Sequence, residues 1–401
     1  MKKLLKLSMI LMVLSILTIS SNAITKLNPK ATLILPEEAF KSDIAVYNKY
    51  IFYTIPIDTS MDSKFKTYSK SVFSNQVAKQ INKVDGVDRR SSVFKILGDQ
   101  KLYSVAHYGD NILGGTHINQ LNKDKSVNMS YSGNASFEID AFKNKLSFIH
   151  DPYFFYQGRS GYWYCKFFND IDKCYYNLPG DIVKMGPLFS AIRKDYTYVV
   201  NYQYDTNNGG SSIEGDYPNV IEAPGIISIN NSNNQKKMLI PDAQNMVMGS
   251  DCIYYYKKTK GKNLYSIYSY SLKNKSTKLI CADANLYYSD VNNRSDHLLF
   301  PVKNNIFYMG GKNSSRLYTV SNKKSKPVLS GMKRIMSNGN VVVALIQRNY
   351  DSQVKIFNDK GVEIANLTVP NNDSDMFIYK NELIMWSKRD KKVRYYNIPV
   401  K

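Results

Sequence analysis

Residues with a chemistry of their own are scarce in this chain of 401 residues. The four histidines, His107, His117, His150 and His297, are widely spaced. None belongs to an H-E-x-x-H zinc motif, and no G-x-S-x-G presents a nucleophile. Gly158-Arg159-Ser160-Gly161 misses that spacing and reads as a hairpin turn. The four cysteines include no C-x-x-C pair, which removes the usual zinc-ribbon pattern. Gly310-Gly311-Lys312 lacks the earlier glycine of a phosphate-binding loop and reads as a turn after a strand. No cofactor or metal is expected. Acidic residues are also short, 33 against 54 Lys and Arg, for a net charge of +21.

Long apolar runs are missing too, with one exception at the start. Lys2, Lys3 and Lys6 precede an apolar run from Leu7 to Ile19, and Ser21-Asn22-Ala23 then offers small residues for cleavage. This is the pattern of a signal peptide over residues 1–23. The run is short for a span of about 20 residues, so no stable membrane span is expected after cleavage. The expected location is secreted or cell-surface associated. Residues 24–401 then form a single domain, since no Pro/Ser/Gly linker divides them.

What the chain has in abundance is one phrase. Polar residues lead into a short β-branched and aromatic strand: NKYIFYT from Asn48, DQKLYSV from Asp99, KNKLSFI from Lys143, RKDYTYVV from Arg193, GSDCIYYY from Gly249, KNNIFYM from Lys303, SNGNVVVAL from Ser337 and YKNELIMW from Tyr379. The step of roughly 40 to 50 residues is that of propeller blades. In the clearest unit, DCIYYYKK reads as a first strand, NLYSIYSYSL as a second, STKLICAD as a third and NLYYSDV as the start of a fourth. In NLYSIYSYSL, Leu264, Ser266, Tyr268 and Tyr270 fall on one face, with Tyr265 and Ile267 on the other. Both faces carry bulk, as a sheet between two neighbours requires. Most of the 32 tyrosines are therefore expected to be structural, their rings packed and their hydroxyls near a sheet edge.

These observations predict an all-β fold, a β-propeller of seven or eight four-stranded blades. Residues 31–47 are expected to pair with 379–398 and close the ring, which hides its open edges. The phrases I-Y-Y or I-F-Y, then L-Y-S or L-Y-T, then T-K-L, resemble the Tyr-rich propeller repeats of secreted Bacillota proteins, distantly TolB-like. The resemblance is best over 249–336. It implies a fold and carries no catalytic residue with it.

Candidate sites are few. Cys165 and Cys174 flank a stretch able to turn back on itself, and a disulfide there would stabilise by about 2.7 kcal/mol. Cys252 and Cys281 form a second possible pair within one unit. Consecutive aromatics after Asp151 occupy both strand faces, so Tyr156, Tyr162, Trp163 and Tyr164 are read either as a binding platform or as blade packing. Lys388, Arg389, Lys391, Lys392 and Arg394 form the densest basic run, read as a polyanion contact or as a solvated strand edge. His150-Asp151 is read as a strand end opening a turn, because adjacent strand residues point to opposite faces. The acids within 205–224 resemble an incomplete calcium loop and are read as a surface insertion.

The expected function is that of an exported, non-catalytic propeller binding a partner protein or a cell-envelope polysaccharide or polyanion, and not nucleic acid. A carbohydrate-active enzyme, a hydrolase or lyase with acids drawn from several blades, is one alternative. A structural subunit of a surface complex is another.

Overall fold

The computed structural model describes residues 24–399 apart from connecting stretches, the longest being 132–147, 178–189, 205–219 and 287–298; side chains are described mainly in 24–81 and 225–399. The leader and the insertion at 205–219 lie outside the described residues.

The described residues form eight sheets in chain order, six of four strands and two of five. Within each, consecutive strands pair antiparallel, as in Asn245–Met248, Cys252–Lys258, Tyr265–Ser271 and Ser276–Ala284. The next sheet repeats the order with Leu299–Val302, Asn305–Gly310, Arg316–Ser321 and Lys324–Ser330. From the sheet that opens at Phe148–His150 onward, the first strand of each sheet packs beside the first strand of the next, and the first strand of the opening sheet, Ile44–Tyr47, packs beside Asp375–Tyr379 of the last. The only helical element described is a short 3-10 turn, Glu37–Lys41. Sequential antiparallel sheets of this kind, the last lying against the first, make a β-propeller fold.

The repeated phrase marks a different strand from the one expected. CIYYYKK is the second strand of its sheet, and the first is the short NMVM at Asn245–Met248. Likewise KRIMSN supplies Arg334–Ser337, which opens the following sheet, and the described part of NLYYSDV forms an isolated bridge from Leu286 to Gly310. First strands have only three to five residues, and those such as NMVM and RIMS have no aromatic and too little length for the pattern that made the second strand legible. Gly310 is required by that bridge: a Cβ there would stand 2.1 Å from the Asn285 carbonyl oxygen.

The last sheet takes up less of the N-terminus than expected. Ala31–Ile34 pairs antiparallel with Lys392–Asn397, so one N-terminal strand completes three C-terminal ones. Residues 44–47 pair instead with 50–53 and open the first sheet. A further strand, Thr25–Lys26, adds in parallel to Glu363–Pro370.

Apolar clusters fill the joints between sheets. Tyr255 and Tyr270 join Ile226 and Ile240 on one side of their sheet, while Tyr254, Tyr256, Tyr265 and Ile267 pack with Ile306 and Tyr308 on the other. The period-2 alternation thus feeds two clusters at once. A tyrosine pair recurs in register across the second and third strands. Tyr53 faces Tyr68, Tyr255 faces Tyr268 and Tyr308 faces Tyr318, with ring centroids 5.5, 5.4 and 5.0 Å apart. The hydroxyls reach the fourth strand, Tyr308 donating to Ser325 Oγ at 2.6 Å and Tyr255 lying 3.5 Å from Thr277 Oγ1. The ring is buried while its polar tip meets a partner near the edge, as the composition implied.

Candidate functional site

Three sets of residues were singled out by sequence, and the structure distributes them differently. Tyr156 and Tyr164 are direct cross-strand partners, and Gln157 is opposite Trp163; Tyr162 lies outside the described residues. Tyr156 is the fourth residue of a second strand, Tyr153–Gln157, the same position as Tyr53, Tyr255 and Tyr308 in theirs. Backbone register therefore assigns this pair to the repeat that elsewhere packs blades.

Cys165 and Cys174 lie on adjacent strands, where Lys166 is opposite Cys174 and the register slips beside Cys165. Cys252 and Cys281 are not joined by a disulfide, which corrects the second expected bridge. They sit on the second and fourth strands of one sheet with Tyr265–Ser271 between them. Strands two apart are separated by nearly 10 Å, beyond the 4.4–6.8 Å that a disulfide spans. Cys281 Sγ instead lies 3.2 Å from Ser325 Oγ, beside Tyr308.

The basic run at 388–394 does not form one cationic surface. Lys391 binds Glu37 at 2.6 Å, and this hydrogen bond, with the lysine charge, holds the Glu37 carboxyl below the usual range. Arg394 is buried and paired with Asp390. The Arg389 backbone N–H donates to Asp373 Oδ2 at 3.0 Å. Lys388 and Arg389 remain exposed at the turn between the second and third strands.

Antiparallel order sends all turns between first and second strands to one end of the sheets, together with those between third and fourth strands. The turns between second and third strands and the sheet-to-sheet crossovers lie at the other end, which contains Lys388 and Arg389. That other end is rich in ion pairs: Arg334 meets Asp375 at 2.7 Å, Lys262 meets Asp283 at 3.4 Å, and Lys391 meets Glu37.

The inner-turn end is built from lysine. Lys49, Lys303 and Lys380 occupy the turns between first and second strands of three sheets, all exposed and all at positive φ, 65°, 50° and 50°. Lys275 and Lys323, in turns between third and fourth strands, share both properties. Left-handed backbone suits Gly and Asn and costs other residues about 1–2 kcal/mol. Hydrogen bonds join these turns from sheet to sheet. The Lys303 N–H donates to the Gly339 carbonyl at 2.7 Å, the Asn338 amide donates to the Lys380 carbonyl, and the Lys49 N–H donates to Glu382 Oε2 at 3.0 Å. Sequence reasoning took these polar residues as punctuation. The signal was there in the repeated NK, KNN and YKN that precede the strands.

The junction of the last and first sheets is the most elaborate part of this end. Tyr47 and Tyr379 have ring centroids 4.5 Å apart, and Lys380 Nζ stands 5.1 Å from the Tyr379 centroid. A cation over a tyrosine face gains about 0.5–1 kcal/mol at an exposed site. Glu382 accepts from the Lys49 N–H and, at 3.3 Å, from the Tyr395 hydroxyl. Burial raises its carboxyl above the usual range, although those hydrogen bonds and the charges of Lys49 and Lys380 pull it down. Phe73, 57% exposed, meets the Tyr395 ring edge to face at 5.3 Å. Among the described residues no three His, Cys, Asp or Glu side chains gather to hold a metal.

No family model matches this chain, and no curated protein does. Solved structures do. The Saccharomyces cerevisiae protein Sqt1 aligns at a TM-score of 0.50 and 10% identity, over 94% of this chain and 100% of that one. The Dos1 propeller aligns at 0.49 and 12%, covering 92% and 95%. BamB from Moraxella catarrhalis aligns at 0.40 and 10%, covering 93% and 100%. At such identities the likeness concerns the fold alone, and that to Sqt1 agrees with the sheet order.

Proposed function

We propose that the mature protein is an exported, closed, eight-bladed propeller that acts by binding, without catalysis of its own, and that it holds a partner protein or envelope polymer at its inner-turn end. The leader at residues 1–23 supports export. The observation that carries the reading is the placement of exposed lysines at backbone positions that favour Gly or Asn, in turns tied together from sheet to sheet. Residues held in costly conformations are found disproportionately at functional sites. Propellers gather such turns from separate blades around one axis, so a ligand there touches several repeats at once.

The test begins with the exported product. Its N-terminus is expected at Ile24, read by terminal sequencing, and the purified protein is expected to cosediment with the native envelope fraction. A protein that stays in the supernatant at low salt is not a binder of envelope material, and the reading fails.

A further inference from the structure

We infer that the end opposite the inner turns carries a second docking surface, shaped for a folded partner protein whose acid-rimmed pocket receives the Tyr350 ring. Tyr350 stands on the turn between the second and third strands of the sheet that opens at Arg334–Ser337. At 89% exposure it is the most exposed aromatic among the described residues. A single exposed apolar side chain needs no explanation by itself. Tyr350 is set apart by how firmly its turn is mounted and by what flanks it.

The chain that crosses from this sheet to the next, residues 371–374, is hydrogen-bonded to the hairpin tips of both. On one side the Asn371 N–H donates to the Tyr350 carbonyl at 3.2 Å, the Asn372 amide donates to the Asn349 carbonyl at 3.0 Å, and the Gln347 amide donates to the Asn372 carbonyl. On the other side Asp373 accepts from the Ser387 hydroxyl at 2.6 Å and from the Arg389 N–H at 3.0 Å. The crossover is itself pinned, because the Asn371 carbonyl accepts from the hydroxyls of Ser352 and Ser374 at 3.0 and 3.2 Å. Tyr350 and Arg389 therefore belong to one braced corner, although they lie on different sheets. Contacts fixed in advance lose less freedom on binding.

Three exposed cations flank the ring, Arg348 on its own turn and Lys388 and Arg389 on the next. The acids around them are already engaged: Asp373 as above, Asp375 with Arg334, Asp390 with Arg394 and Glu37 with Lys391. Asp351 turns its Oδ1 inward, where that atom is buried. Arg348 donates to Gln353, a neutral amide, so its charge stays available to an outside partner. Tyr and Arg are the side chains that most often anchor protein interfaces.

Shape selects the class of partner. A ring so exposed on a turn tip is a knob, and only a cavity on the other molecule can bury it. A folded protein offers such a pocket, with acceptors for the phenol and acids at its rim. A flexible anionic polymer would be held instead by a groove or by a row of rings, and no second described ring lies against Tyr350. This corner is separate from the inner-turn end and leaves that end free.

The experiment measures retention of the purified mature protein by the native envelope fraction, before and after that fraction is treated with protease. Tyr350→Ala is expected to weaken retention at least about tenfold, as truncation of an interface anchor does, with the thermal midpoint unchanged because the exposed ring packs on nothing. Tyr350→Phe keeps the ring and is expected to lose less than Tyr350→Ala. Arg348→Gln with Arg389→Gln is expected to weaken retention at low salt and to reduce its salt dependence, since charges at the rim of an interface act through steering. Protease treatment of the envelope is expected to abolish the share of retention that depends on Tyr350. Retention that survives protease yet still falls with Tyr350→Ala would assign the corner to an envelope polymer and overturn the partner class. Retention of wild type that is indifferent to Tyr350→Ala overturns this inference alone and leaves the inner-turn reading standing, whereas no retention of wild type overturns both.

Discussion

Two stretches of the molecule solve the same packing problem with different side chains. In the sheets over 245–330, the fourth residue of the second strand is Tyr255 or Tyr308, stacked on a tyrosine of the third strand. In the sheets over 334–398 the same position holds Leu345 or Met385, opposite Val354 and Arg394. Leu345 and Met385 share one aliphatic cluster with Ile356, Leu367 and Ile378. An aliphatic joint needs no polar partner. A tyrosine joint does, and finds it in Ser325 and Thr277 on the outermost strand. Burial accordingly pushes the Tyr308 hydroxyl above its ordinary range, only partly offset by the Ser325 hydrogen bond. The backbone register is indifferent to the choice provided the outer strand supplies an oxygen.

The largest effect should come from the strand that the N-terminus lends to the last sheet. Deleting residues 24–35 removes Ala31–Ile34 and bares the edge of Lys392–Asn397. The expected result is loss of a cooperative thermal transition, with association of the exposed edge visible in light scattering. Retention of a sharp transition near the wild-type midpoint would show that the ring does not depend on this pairing.

Side-chain truncation then compares the two joints directly. Tyr308→Ala is expected to cost about 3–5 kcal/mol and Leu345→Ala about 2–5 kcal/mol, read from denaturant unfolding. A cost under about 1 kcal/mol at Tyr308 would mean that the stacked pair is ornamental. Tyr308→Phe isolates the polar tip. It keeps the ring and removes the Tyr308 hydrogen bond to Ser325, which retains Cys281 Sγ at 3.2 Å, so about 1 kcal/mol is expected, while a change equal to that of Tyr308→Ala would locate the whole effect in the hydroxyl.

The smallest effect concerns pH at the closing joint. Because burial holds the Glu382 carboxyl above its ordinary value of 4.5, the folded state binds its proton more tightly than the unfolded state. Stability from this group is therefore greatest at low pH and declines as pH rises from about 4.5 through the raised value. Glu382→Gln should flatten that decline in a series of melts from pH 4 to 7 and leave the slope elsewhere unchanged. An unaltered slope would show that Lys49 and Lys380 already compensate the buried charge.

Much of the fold was legible because the second strands carry an aromatic, β-branched phrase at a steady period. Tyr255 and Tyr308 announce their own packing role, since a buried phenol on a strand has few other uses. The inner strands were not legible. NMVM and RIMS have four residues each and no alternation to separate them from the loops that precede them, so each sheet was read one strand out of phase. The candidate surface was hidden for a related reason. Local density drew the eye to residues 388–394, where two of the cations are spent on Asp390 and Glu37.

Sequence alone determined the all-β class, the period and the tyrosine economy of the joints, because strand alternation and side-chain chemistry are local properties. Only the tertiary structure decided which lysines stand together. Lys49, Lys303 and Lys380 are separated by 254 and 77 residues along the chain, and they share one end of the molecule because each closes the same turn in a repeated sheet. Repetition of one sheet pattern converts a period in sequence into proximity in space. It also sends Lys391 and Arg394 to the opposite end, where Glu37 of the 3-10 turn and Asp390 of the adjoining hairpin turn pair with them.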